Sequence, residues 1–217
     1  MRHLALTPDR DTPGDNDYTG AFDPEANRYV RYYEGVGDEV IRSKVDVSKK
    51  NGARRAQTLR WIAAAAPFDR LAIFCHGWVD GIQLGFSRGA ELESLAAAVA
   101  AASTDRLKVA LYACSTARSD GPPGDGGEGG FADSLRDLLA SAGRPEVTVF
   151  GHTSAGHTTR NPQCRMFVPG CAVGGVRIAE TGSAQYGRLL RRLRDGGDPL
   201  RWTMPYMTLE EIRDAIG

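Results

Sequence analysis

The chain has 217 residues, 41% hydrophobic and 25% charged, with 27 basic and 27 acidic side chains and therefore no formal net charge. That length and balance suit one compact α/β domain and argue against a dedicated nucleic-acid-binding protein. No apolar run approaches the roughly 18–20 residues that span a bilayer. The opening residues turn acidic too early for a secretory leader, so the cytoplasm is the expected compartment, with no membrane and no nucleic-acid partner.

Residues 1 to about 28 are rich in Asp, Pro, Gly and Asn and read as an irregular N-terminal arm. Residues 29–217 then read as one α/β domain, with its core in 51–151 and a C-terminal hairpin and helices in 152–217. Tyr29–Tyr33 is predicted as a first strand and Glu39–Val45 as a second. Asn51–Ala66 carries Ala56, Leu59, Ile62 and Ala63 at helical spacing and stops at Pro67. Arg70–Cys75 is a continuous apolar run, the signature of a strand buried on both faces of a parallel sheet. A helix over Arg88–Ser103, a second buried strand over Leu107–Ala113, an amphipathic helix over Phe131–Ala142 and a strand over Val147–Gly151 follow. This alternation predicts right-handed crossovers and a mostly parallel central sheet flanked by helices, a three-layer sandwich.

Beyond residue 152 the pattern thins. Met166–Gly170 and Ala172–Ala179 read as a hairpin and Ala184–Arg194 as a basic surface helix. Thr208 and Glu211 form a capping box for a last helix ending near Ile216. Ser119–Gly130 is too rich in Gly and Pro for regular structure and is expected to act as a lid or self-processing segment.

Ligands collect at the carboxyl ends of strands in open α/β sheets. Two strands here run straight into reactive residues: 71–75 into His76-Gly77, and 107–113 into Cys114-Ser115-Thr116. A thiol is only slightly ionised at neutral pH, so a nearby imidazole is what a cysteine nucleophile needs, and the same imidazole can protonate a leaving amine. The amides of Gly77 and Cys114 are candidates for an oxyanion hole. Cys75 precedes His76 on its strand, so it is expected on the opposite face, buried and inert. The four cysteines (Cys75, Cys114, Cys164, Cys171) include no CxxC pair and read as free thiols. Their spacing relative to His76, His152 and His157 matches no zinc pattern, and no metal or cofactor is expected.

The segments LAIFCHG and VALYACSTA resemble the caspase-like cysteine peptidase superfamily, clan CD, and most nearly its CHAT branch. In these proteins one hydrophobic strand ends in His-Gly and a later one in Ala-Cys. Ala113-Cys114-Ser115-Thr116-Ala117 also fits the branch, as do the Gly-rich loop, helix and strand that follow. The match covers about residues 68–151. The resemblance implies a caspase-hemoglobinase-like fold, a Cys114/His76 dyad and a cysteine endopeptidase that cleaves after a preferred P1 side chain. Its partner would be a protein or peptide, bound extended by strand addition.

Loop carboxylates near the strand ends (Asp80, Asp120, Asp125, Glu128) give a lean towards a basic P1 residue. Trp78 either contacts substrate or packs beneath its own loop. The stretch Thr153–Asn161, with Ser154 in it, either walls the cleft or is a solvated loop. Two alternatives remain. One is a catalytically inactive caspase-like scaffold. The other is a serine hydrolase of α/β-hydrolase type using Ser154, favoured by the HGW at 76–78. Against the latter, His152 stands where the serine elbow needs glycine, and no histidine follows His157.

Overall fold

Continuous apolar runs build the sheet, and helices with one apolar stripe cover it. The computed structural model describes residues 1–10, 21–119, 127–157, 159–171, 174–194 and 199–217. In chain order the elements begin β1 (Arg2–Pro8), α1 (Phe22–Gly35), β2 (Glu39–Val45), α2 (Asn51–Ala64) and β3 (Phe68–Phe74). A short hairpin, β4 (Gly81–Ile82) and β5 (Phe86–Ser87), precedes α3 (Ala90–Ala102), β6 (Ser103–Tyr112), α4 (Phe131–Ser141) and β7 (Thr148–His152). The chain closes with β8 (Cys164–Phe167), β9 (Val176–Arg177), α5 (Ala184–Arg194), α6 (Leu200–Thr203), one 3-10 turn at Met204–Tyr206, and α7 (Leu209–Ile216).

Seven strands form one sheet in the order β2-β1-β3-β6-β7-β8-β9. The first five in that order pair in parallel, and β8 and β9 join antiparallel. The mostly parallel sheet between two helical layers agrees with the sequence expectation. Among the described residues, no helix is long and apolar enough to cross a membrane.

Period-two alternation divides the core. Leu4, Leu6, Leu71, Ile73, Val109, Leu111 and Val149 point to one face, where they meet Ile62 of α2, Leu95 of α3 and Leu135 of α4. Ala5, Phe74, Ala110 and Tyr112 point to the other face, against Tyr29 and Tyr33 of α1 and Trp202 of α6. On that same side Phe150 and Met166 meet Leu189 of α5 and Ile212 of α7. Thr208 opens α7 through a reciprocal cap, as its sequence suggests: Glu211 N–H donates to the Thr208 hydroxyl at 3.2 Å, and Thr208 N–H to the Glu211 carboxylate at 2.7 Å.

Two expectations fail at the N-terminus. Residues 2–8 are not part of an irregular arm; they form β1, inserted between β2 and β3, with Leu4, Ala5 and Leu6 fully buried. Residues 11–20 of the expected arm lie outside the described residues. The polar members of β1 hide its apolar character, and one of them, His3, is buried with partners. Its Nδ1 bonds the Tyr29 hydroxyl at 2.7 Å and its Nε2 faces Asp38 at 3.2 Å. Likewise Tyr29–Tyr33 is not a strand but the middle of α1. Phe22, Ala26, Tyr29 and Tyr33 recur at helical spacing and are the apolar residues the helix buries, with Asp23 and Glu25 in its positive first turn. That period outweighs the strand propensity of three clustered tyrosines.

Candidate active site

Register brings the two motifs side by side. Phe74 of β3 pairs with Tyr112 of β6, and Ala110 of β6 with Phe150 of β7. Two residues past Phe74 and Tyr112 stand His76 and Cys114, at the carboxyl ends of adjacent parallel strands. Phe74 and Tyr112 stack with ring centroids 4.6 Å apart, and alternation sends His76 and Cys114 out on that same face. Contacts agree. The His76 ring meets Phe22 of α1 edge-on at 4.9 Å, and the Cys114 thiol donates to the Gly156 carbonyl at 3.4 Å. Both side chains are half-buried. Cys75 points the other way into the aliphatic core; burial pushes its thiol up to about 12, so it is inert at neutral pH.

The two strand ends are also locked together by their backbones. A Cβ on Gly77 would lie 2.6 Å from the Cys114 carbonyl oxygen and 2.8 Å from the Ala113 Cβ, so only glycine allows this approach. After β6 the chain turns sharply at Ser115, the only non-glycine among the described residues with a left-handed conformation (φ 57°). Arg118 N–H closes that turn on Ser115 O at 3.1 Å, and further hydrogen bonds hold it. Ser115 N–H donates to Ser154 O (3.3 Å), Ala117 N–H to His152 O (2.9 Å), Thr116 Oγ1 to Ala113 O (3.1 Å) and Ala132 N–H to Thr116 O (2.8 Å). A non-glycine residue held in a sparse backbone region is a feature that concentrates at functional sites.

On the other side, Gly77 pairs with Ile82 through Trp78 N–H to Gly81 O and Gln83 N–H to His76 O, both 2.9 Å. Gly77's own amide takes no part in this pairing. Among the described residues, neither the Gly77 nor the Cys114 amide donates a hydrogen bond.

The remaining sequence candidates fall in different places. Trp78 is 53% exposed beside the His-Gly turn and does not pack beneath its loop. Asp80 is exposed in the loop before β4. Asp120 and Asp125, with most of the expected lid, lie outside the described residues, and Glu128 is exposed. Ser154 is brought close: extending the β6–β7 register sets it opposite Cys114, on the side away from His76. Its Oγ accepts from Asn161 Nδ2 at 3.0 Å and has no imidazole partner among the described residues, an arrangement unlike a serine nucleophile's.

Residues 154–157, 160 and 161 of the stretch do wall a space. An open-sided cavity of about 250 Å³ is lined by Ser154, Gly156, Arg160, Asn161, Gln163 and Tyr186, among others. It adjoins the sulfur through Gly156. His157 sits at its wall, with Nδ1 on the Thr159 hydroxyl (3.0 Å) and Nε2 3.7 Å from the Glu25 carboxylate of α1. Partial burial lowers the His157 pKa against the opposite pull of Glu25, and Arg160, Arg201 and Arg28 add to the lowering. Phe22, Glu25, Gln163 and Tyr186 carry no motif and could not be found by one. Only the amphipathic periods of α1 and α5 hint that one side of each helix faces inward.

No protein-family model matches the chain, and no curated protein is significantly similar to it. The site's chemistry therefore rests on its own geometry. A half-buried thiol and an imidazole emerge on one face from adjacent strand ends, with two amides of the same turns unoccupied. That arrangement suits nucleophilic attack by sulfur, proton transfer by the ring and stabilisation of an oxyanion.

Proposed function

We propose that the chain is a caspase-like cysteine endopeptidase with Cys114 as nucleophile and His76 as its acid–base partner. The observation that carries this reading is the adjacency of the two strand ends, with Gly77 packed so closely on the Cys114 turn that no side chain fits between them. Sulfur attacks the scissile carbonyl, and the S–C bond forms as the C–N bond breaks. The thiol proton passes by way of His76 to the departing amine, leaving a thioester. His76 then takes a proton from water, which attacks the thioester and returns the thiol and a free carboxylate. The amides of Gly77 and Cys114 would receive the negative charge on the carbonyl oxygen at both stages. This sequence of steps uses no metal or cofactor.

In the resting arrangement the thiol donates to Gly156 O. Substrate entering beside Gly156 would have to displace that bond, which frees the sulfur as the peptide arrives. Hydrogen bonds of catalytic groups often tighten only in the loaded complex.

The test is to incubate the full chain with a denatured protein mixture and to read new N-termini by mass spectrometry. New termini that vanish with Cys114→Ala and with His76→Ala are the expected result. No new termini with folded wild-type protein would replace the peptidase by a non-cleaving scaffold. Termini that persist in Cys114→Ala but vanish in Ser154→Ala would replace it by a serine hydrolase.

A further inference from the structure

Two hydrogen bonds fix the main chain of His76. Its N–H donates to the side-chain carbonyl of Gln83 at 3.2 Å, and its own carbonyl accepts from Gln83 N–H at 2.9 Å. Gln83 is buried, so water does not compete for this clamp. Nothing polar fixes the ring. Among the described residues, neither imidazole nitrogen of His76 has a hydrogen-bond or ion-pair partner. A base that serves a nucleophile is ordinarily oriented by a third, hydrogen-bonding group. Here the two side-chain torsions of His76 are left to packing.

What packs on the imidazole is Phe22. The ring centroids lie 4.9 Å apart and the planes meet at 89°, the edge-on arrangement that the charge distribution of aromatic rings favours. Among the described residues, Phe22 is the single aromatic ring against it. Phe22 is only 6% exposed and opens α1 at the end nearest the carboxyl edge of the sheet. It heads the stripe of Ala26, Tyr29 and Tyr33, which sits on Ala5, Phe74 and Tyr112. The rest of the stripe is pinned by polar handles. The Tyr29 hydroxyl bonds His3 at 2.7 Å and the Tyr206 hydroxyl at 2.6 Å, and Tyr33 donates to Trp202 O at 2.7 Å. The Phe22 ring is therefore carried on a rigid element. It is not a loose side chain that happens to lie nearby.

We infer that Phe22 is the positioning residue of the site. Its ring sets the plane of the His76 imidazole and keeps one nitrogen directed at Cys114, in the place of a hydrogen-bonded third group. A hydrocarbon edge fixes the plane without taking up a proton, so both nitrogens stay open, one for the sulfur's proton and one for exchange with water. The consequence for catalysis rests on the peptidase reading. The orientation of the ring by Phe22 does not.

Two measurements keep those apart. The first follows attachment of a peptidyl acyloxymethyl ketone to Cys114 by intact mass, over a range of probe concentrations. Phe22→Leu, which stays apolar but loses the ring, should lower the limiting rate about tenfold, the upper end for an edge-on aromatic pair. The half-saturating probe concentration and the rate with iodoacetamide should not change. Phe22→Tyr, which restores the ring, should restore the rate. In a His76→Ala background Phe22→Leu should slow the ketone no further, because a residue that acts through the imidazole has nothing left to act on. A wild-type rate in Phe22→Leu, failure of Phe22→Tyr to restore it, or further slowing in the His76→Ala background overturns the inference. In each of these cases slowing by His76→Ala alone leaves the peptidase standing.

The second measurement requires no catalysis. Carbon–proton NMR spectra of the full chain with ring-labelled histidine give the His76 signals, identified by their loss in His76→Ala. Phe22→Leu should move the His76 ring signals, since the neighbouring ring current is removed, and leave those of His3 in place. That result supports the positioning role even if no probe labels the sulfur. Unmoved His76 signals overturn it.

Discussion

The two faces of the central sheet are built from different chemistry. One is aliphatic: Leu71, Ile73, Val109 and Leu111 meet α2, α3 and α4, and Cys75 is sealed among them. The other is aromatic and hydrogen-bonded. Phe74 and Tyr112 stack beneath Tyr29 and Trp202, Tyr112 donates to Arg201 O at 3.0 Å, and Tyr33 donates to Trp202 O at 2.7 Å. The two thiols at the end of this sheet make the same point. Cys75 and Cys114 lie on neighbouring strands, yet one is entombed and the other half-open and hydrogen-bonded, because alternation sends them to opposite faces. The aliphatic face holds the sheet together. The aromatic face, with polar handles at its rims, opens at the carboxyl edge into a site.

If that division is right, damage to each face should read out differently. Leu111→Ala, on the aliphatic face, should cost about 2–5 kcal/mol in denaturant unfolding. The fraction still folded should keep Cys114 reactive towards its probe. Loss of Cys114 reactivity with unchanged stability would show that the two faces do not divide the work in this way.

A slightly smaller effect comes from His3 on the aromatic face. Burial pulls its pKa down from 6.5 to about 4, only partly offset by Asp38, with Arg70 and the N-terminal ammonium adding to the lowering. The unfolded chain therefore binds this proton first. The stability contributed by neutral His3 is fully present above pH 6.5 and is lost as pH falls towards about 4. The loss should be on the order of 3 kcal/mol at the acid end and be absent in His3→Gln. Unfolding followed against pH for both proteins checks this, and parallel curves would contradict it.

At the site itself, Gly77→Ala places a methyl group against the Cys114 carbonyl. The shift this forces should lower turnover about 100-fold, as misplacement by about an ångström does, while circular dichroism stays native. Smallest is Ser115→Gly. Releasing a left-handed residue from a conformation that L side chains avoid should raise stability by about 1 kcal/mol. It should also lower activity, if the turn's rigidity aims the sulfur.

What the sequence disclosed follows the strength of its periodic signals. The runs at 70–75 and 107–113 are apolar on both faces and bounded by breaks, so β3 and β6 and the residues at their ends were legible. β2 and α5 have the bounds that the sequence suggests. β1 was not legible, because His3 and Thr7 alternate with its leucines and nothing local reveals that a histidine will be buried against a tyrosine 26 residues away. Nor was the cavity. Ser154 could be singled out, but Tyr186 reaches the cavity from a helix that reads only as basic and amphipathic, and Phe22 reaches His76 from a segment read as irregular. Long-range partners of this kind are set by tertiary packing and leave no spacing to recognise.

The proposed chemistry requires His76 to act on Cys114. The decisive quantity is the rate at which a peptidyl acyloxymethyl ketone attaches to Cys114 in wild type and in His76→Ala, with iodoacetamide as a reagent that needs only an open sulfur. His76→Ala is expected to slow the ketone at least about 100-fold, the lower range for loss of an acid–base partner, while iodoacetamide still modifies Cys114. Equal ketone rates in the two proteins would contradict it.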